Sequence, residues 1–284
     1  MAFFGLFNYS KPGPGVDKNG PKKKRFFLFF ELYFRKFWKM IQLNLLFLVC
    51  CIPIVTIGPA IAGMTYVLRN FATEKPTFLV SDFFDAFKSN WKQGFGLSVI
   101  FAAISAIAGV SFFWYFANSA RSWLMLIPLG LCILFCLVLL FMQFYVYLMA
   151  VTVELKLKYI IKNSFIFAFL GAKTNLITAF FVLLIAVPCA LFFPITIPVI
   201  VLLAFSTIGF IAVFNSYPYI IKYIVEPHEQ QLREERGEDD DDEEEDEDDE
   251  PIFTDIGTQE VPMQPTGKSS GKGAGGQSKS KVLK

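Results

Sequence analysis

Charged and apolar residues segregate into long blocks along this chain. Four stretches, residues 40–68, 93–120, 122–153 and 174–221, contain no Asp, Glu, Lys, Arg or His. A helix of about 20 apolar residues crosses the ~30 Å hydrocarbon core of a bilayer, so the second and third blocks predict one span each. The fourth predicts two, with Pro194 and Pro198 ending one helix and starting the next. The first block is interrupted by Pro53-Ile-Val-Thr-Ile-Gly58-Pro59. Pro53 discourages helix continuation, and Gly58-Pro59 reads as a turn residue followed by the first residue of a new helix. Its two pieces fit one kinked span, two short spans, or a hairpin that turns inside the bilayer.

Positive-inside counting chooses among these. With Lys22, Lys23, Lys24 and Arg25 cytoplasmic and the first block going up and back, Arg69, Lys75, Lys88, Lys92, Lys156, Lys158, Lys162, Lys173 and Lys222 are cytoplasmic too. Only Arg121 then faces outward. A single crossing would move the charges from Arg69 to Lys92 outside and destroy the bias. The expected fold is therefore an all-α polytopic membrane helix bundle. It has about six segments, residues 38–55, 58–71, 94–117, 123–151, 175–193 and 198–221, forming three helical hairpins with the first short or re-entrant. The layout puts the chain in the cell membrane as a multi-pass protein with both termini cytoplasmic. Trp38 and Trp91 fall at the inner boundary, and Trp114 and Trp123 bracket the outer loop, as interfacial anchors do.

Each hairpin is preceded by an amphipathic stretch, at residues 26–39, 77–92 and 159–173. In the second, Phe83, Phe84, Phe87 and Trp91 make an aromatic face opposite Asp82, Asp85, Lys88 and Lys92, the pattern of an interfacial helix. Short matches recur between hairpins: Asn44, Asn90 and Asn175 near span starts, and Pro53-Ile-Val-Thr56 against Pro194-Ile-Thr196 at the outer turns. Ala102/Ala106 and Ser105/Gly109 are small pairs spaced by four, which permit close helix contact; packing within the chain is sufficient to explain them.

Composition agrees with a lipid environment. Hydrophobic residues make up 54% of the 284, aromatic residues 17% and charged residues only 18%, with a mean hydropathy of +0.49; soluble domains carry roughly 25% charged residues. The formal net charge of +1 hides a basic part, residues 1–225 with 19 Lys+Arg against 6 Asp+Glu, and an acidic part, residues 226–284 with 7 against 19. These basic residues flank apolar spans, so lipid phosphates and not nucleic acid are their expected contacts. Residues 1–25 read as a polar basic segment, 26–225 as the membrane domain, and 226–284 as a disordered tail whose run 238–250 is entirely acidic.

Chemistry-bearing groups are sparse. No ionisable residue lies deep in a span, and the single His, His228, follows the last one. Cys50, Cys51, Cys132, Cys136 and Cys189 lack zinc or redox spacing and read as small buried hydrophobes. Nucleophile motifs and phosphate-binding loops are missing. No catalytic, cofactor-binding or metal-ligating residue is expected. What remains is uncharged polarity. Gln42, Asn44 and Asn175 are candidate intramembrane contacts, and Gln143 and Asn215 read as interhelical hydrogen-bonding residues. Pro53, Thr56, Gly58 and Pro59 form the candidate motif turn, either a constrained structural element or a broken-helix binding site offering free N–H groups.

Several stretches resemble the YesL family of bacterial integral membrane proteins: residues 7–15 (FNYSKPGPG), 35–39 (RKFWK), 44–60 (NLLFLVCCIPIVTIGPA) and 82–93 (DFFDAFKSNWKQ). The resemblance covers residues 3–225 and leaves the acidic tail outside. It implies an association with carbohydrate ABC importers and sensor-kinase systems, and supplies no catalytic or ligand residues. The function expected is that of a non-enzymatic accessory or regulatory protein contacting membrane subunits of such systems. A self-sufficient small-solute facilitator or channel is the alternative.

Overall fold

A computed structural model describes residues 24–120 and 122–236. The basic Lys22-Lys23 pair, Arg121 and the acidic run 238–250 lie outside the described residues. Within them, the regular elements are helices in a threefold recurrence. A short helix, a one-residue junction and a helical hairpin occur as α1 (Arg25–Arg35), α2 (Phe37–Cys50) and α3 (Ile57–Ala72). They occur again as α4 (Leu79–Ser89), α5 (Trp91–Asn118) and α6 (Leu126–Thr152). The third unit is α7 (Leu157–Leu170), α8 (Ala172–Leu191) and a rod that begins with α9 (Ile197–Val199). That rod passes through a π-helical turn at Ile200–Ala204 into α10 (Phe205–Ile220), then through another at Ile221–Val225 into α11 (Glu226–Arg236).

The three junctions share one backbone conformation. Lys36 has φ −108° and ψ 15°, Asn90 −101° and 15°, and Gly171 −93° and 17°, all near the bridge region. At each, the junction N–H bonds the carbonyl four residues back (Leu32, Ala86, Phe167), and its carbonyl accepts from four residues on (Met40, Gly94, Asn175). One residue thus bends the chain with few helical bonds lost. Counted from these junctions, Asn90 stands at the bend, Asn175 four residues on and Asn44 eight. The asparagines are not equivalent; the bends are.

Among the described residues, four helices are long and apolar enough to cross a membrane: Trp91–Asn118, Trp123–Thr152, Ala172–Leu191 and the rod from Ile197. This is a helical membrane protein. The first hairpin differs. At 1.5 Å per residue, α2 and α3 are about 21 and 24 Å long, shorter than the hydrocarbon core. Its tip, a 3₁₀ turn at Ile54–Thr56, packs on α5 and shares with residues 95–105 of α5 and with Gln143 and Tyr147 of α6 the walls of one groove. The tip therefore stops well short of the α5–α6 connection.

Helix α3 fills the centre of the bundle. Twelve of its sixteen residues are buried, and it packs against α2, α4, α5, α6 and α10. Small residues make this possible: a Cβ on Gly63 would lie 2.8 Å from Phe83 O, and one on Gly209 of α10 would lie 2.7 Å from Leu68 Cδ1. Arg69, read above as a charge on the cytoplasmic side at the end of the second segment, is 5% exposed within this core. It donates to Val151 O at 2.7 Å and lies 4.5 Å from the Tyr66 ring. Periodicity could not foresee this, because the carbonyl that Arg69 bonds comes from α6, far along the chain.

Basic loops and junctions gather at one end. Arg35 pairs with Glu74, the Lys36 ammonium sits 4.7 Å from the Phe71 ring, and Gln93 donates to Leu155 O at 2.6 Å. Burial pushes Lys36 below the ordinary lysine range, aided by Arg35 and Lys39 and opposed by Glu74. At the same end, the helix that follows the last span starts beside Leu155 and runs to Arg236, eleven residues into the segment expected to be disordered. Glu229 and Arg233, spaced i, i+4, favour its continuation. The five cysteines are half-buried and carry no disulfide.

Candidate functional site

The motif turn is a packing device. Pro53 follows the end of α2, and the Thr56 hydroxyl turns back toward Cys50 O, at the open end of the broken helix, and toward Pro53 O, which also accepts from Thr56 N at 3.0 Å. The outer turn of the third hairpin repeats this, with Thr196 Oγ1 donating to Cys189 O at 2.7 Å. Gly58 is not a turn residue with special φ: helix α3 starts at Ile57, and Gly58 lies in its first turn, buried against α5. Pro59 occupies that same first turn, where its missing N–H costs nothing. The α3 N-terminus is thus covered by α5.

The polar candidates separate into tied and untied groups. Asn44, fully buried in α2, donates to Ile200 O at 3.0 Å and Val201 O at 2.6 Å and accepts from Ser206 N at 2.9 Å. It satisfies the backbone of the π-helical turn. Asn175 donates to Phe167 O and Ala168 O, both at 3.1 Å, and accepts from Tyr145 Oη at 2.7 Å. Asn215 donates to Thr178 Oγ1 at 3.0 Å, an interhelical bond of the expected kind. Gln42 faces outward and is exposed.

Gln143 departs from expectation. Its carboxamide makes no hydrogen bond with any described residue and lines a lateral groove beside the motif turn. The groove is about 380 Å³, walled by Ile54, Val55 and Ile57 of the turn, Ser98, Ala102 and Ser105 of α5, and Gln143 and Tyr147 of α6. A second hollow of about 270 Å³ shares Ser105 and Gln143 and extends it to Gly109. The spacing explains the convergence: Gln143 and Tyr147 are i, i+4, and Ser98, Ala102, Ser105 and Gly109 follow one stripe of α5. Tyr147 is 5% exposed and lines the groove, and its hydroxyl has no partner among the described residues. Tyr145, two positions away, is fully tied to Asn175.

The small pairs of α5 also depart from expectation. Ala102, Ser105, Ala106 and Gly109 are all exposed, and a Cβ on Gly109 would meet nothing within 4 Å. Packing inside the chain does not account for them. Sequence reading noted these pairs and noted Gln143, but not that they share a face, and it passed over Tyr147. The i, i+4 relation to Gln143 was the available signal.

Residues 40–112 match a family model described as a protein of unknown function, DUF624. The match takes in α2, α3, α4 and most of α5, hence the motif turn and one wall of the groove. No curated protein and no solved structure matches the chain.

Proposed function

We propose that this chain is a non-enzymatic accessory or regulatory membrane protein that docks a transmembrane helix of a partner in the groove between α5 and α6. The observation that carries the reading is the joining of an exposed small-residue stripe, Ala102–Ser105–Ala106–Gly109, to the untied Gln143 carboxamide and Tyr147 hydroxyl. In lipid, helices associate through close approach at small residues and through interhelical hydrogen bonds, and an untied polar group in hydrocarbon is costly. A partner helix relieves that cost.

The resemblance to the YesL family supports carbohydrate ABC importers or sensor-kinase membrane subunits as partners. In the same reading the chain forms six membrane segments in the cell membrane with both termini cytoplasmic, and the α2–α3 hairpin is re-entrant. The gathering of basic junctions at one end and the shortness of that hairpin support this layout. Purification of the tagged full chain in mild detergent tests the assignment. Importer or sensor subunits identified by mass spectrometry should accompany the wild type and be depleted by Ser105→Leu and Gln143→Leu, with Gly130→Ala as a control. Recovery of the protein alone, or solute flux through vesicles containing only this chain, contradicts it.

A further inference from the structure

A second cleft, independent of the groove, lies between α1 and the α8–α10 pair. It encloses about 230 Å³, and its walls are Phe29 and Phe30 of α1, Ile177 and Phe181 of α8 and Ile211 of α10, with Arg25 at one end. Helix α1 runs antiparallel to α10: Arg25 Nη2 donates to Phe214 O at 3.0 Å, and Tyr33 Oη lies 2.9 Å from Thr207 Oγ1. Arg25 therefore marks the end of the cleft toward Lys222. Phe214 O is available because residue 218, which would ordinarily bond it, is the Pro218 inside α10. That bond and the Phe214 ring, 5.5 Å from the guanidinium carbon, hold the arginine while leaving most of its five donors uncommitted.

We infer that this cleft binds one anionic phospholipid, its acyl chain between α1 and α8 and its phosphate on Arg25. Two observations choose this occupant. Apart from Arg25 and Asn215, whose amide is tied to Thr178, the walls are aromatic and aliphatic and belong partly to helices able to cross a membrane, so hydrocarbon reaches the cleft. Its charged end is cationic among the described residues that line or adjoin it: Arg25 closes the cleft, and Lys24 is exposed beside it. Arginine's planar fork matches phosphate oxygens, and basic pockets between membrane helices select anionic headgroups. A zwitterionic lipid would bring its own cation to an end already held by Arg25 and Lys24.

Native mass spectrometry of the full chain, released from nanodiscs of equimolar phosphatidylglycerol and phosphatidylcholine with identical chains, tests this. The wild type should retain one phosphatidylglycerol in preference to phosphatidylcholine. Arg25→Gln should lower that retention about fivefold, while Arg25→Lys, which keeps the charge and loses the planar fork, should fall between the two. Ile177→Trp fills the cleft without touching the Arg25–Phe214 bond, and should expel the lipid even if Arg25→Gln fails to fold. Equal retention of the two lipids overturns the proposal. So does a phosphatidylglycerol preference unchanged in Arg25→Gln or Ile177→Trp, which would reflect general surface charge. Partner capture by the α5–α6 groove should be unaffected by Ile177→Trp, so the two proposals fail separately.

Discussion

Gly58 and Gly94 meet backbone to backbone: a Cβ on Gly58 would stand 2.1 Å from Gly94 O, and one on Gly94 would stand 2.9 Å from Pro59 N. This contact locks the first hairpin onto the start of α5. It gives Gly58-Pro59 a packing role that a loop turn would not need. Gly58→Ala must push two helix backbones apart, and overpacking of this kind costs about 1–3 kcal/mol. Gly109→Ala, in open space on the same helix α5, should be neutral or stabilising by up to about 1 kcal/mol through helix propensity. Thermal unfolding of the two variants in one detergent should therefore move in opposite directions or leave only Gly58→Ala impaired.

Asn44 is the keystone between α2 and the last span. Replacing it by Leu keeps its bulk but strands Ile200 O, Val201 O and Ser206 N, whose pairing the π-helical turn needs. Unmet buried groups cost about 1–3 kcal/mol, so Asn44→Leu should lower the unfolding temperature clearly. Gln42→Leu, at an exposed position, should not.

A smaller effect is expected at Tyr145. Tyr145→Phe removes only the hydroxyl that donates to Asn175 Oδ1, leaving the ring stacked 5.4 Å from Phe167. Interhelical hydrogen bonds in membranes average about 0.6 kcal/mol, and the variant should lose that order of stability. Asn175→Leu, which also deprives Phe167 O and Ala168 O of a donor at the α7–α8 bend, should lose more.

The groove residues reverse this pattern. Gln143→Leu and Tyr147→Phe remove polar atoms that have no partner among the described residues, so unfolding of the isolated protein should be unchanged or slightly delayed. Their effect belongs to partner capture. A variant that unfolds markedly earlier would show that the polar groups serve the fold and not a docking surface.

Charge-free blocks and proline positions made the long helices legible, because each block is wide enough to cross lipid and each proline breaks a helical ladder. The bends at Lys36, Asn90 and Gly171 escaped notice since Lys, Asn and Gly share a conformation there without sharing a side chain. Burial was harder still. Residues 58–63 announce close packing through Gly58, Ala60, Ala62 and Gly63, but which helices come close depends on long-range contacts with Gly94 and Phe83. Arg69 illustrates the converse: charge usually signals a boundary, yet here Val151 O and the Tyr66 ring bring it into the core. The untied state of Gln143 is likewise a property of what faces it, and no local pattern encodes that.

The account stands on the first hairpin turning back, so that the loop after α3 shares a side with the α6–α7 loop. Single cysteines at Lys75, Lys158 and Ser119, introduced into a chain whose five native cysteines are replaced by serine or alanine, test this through labelling of intact cells with a membrane-impermeant maleimide. Position 119 should label from outside, and positions 75 and 158 only after the membrane is opened. Labelling at 75 in intact cells, with 158 still protected, would contradict the account.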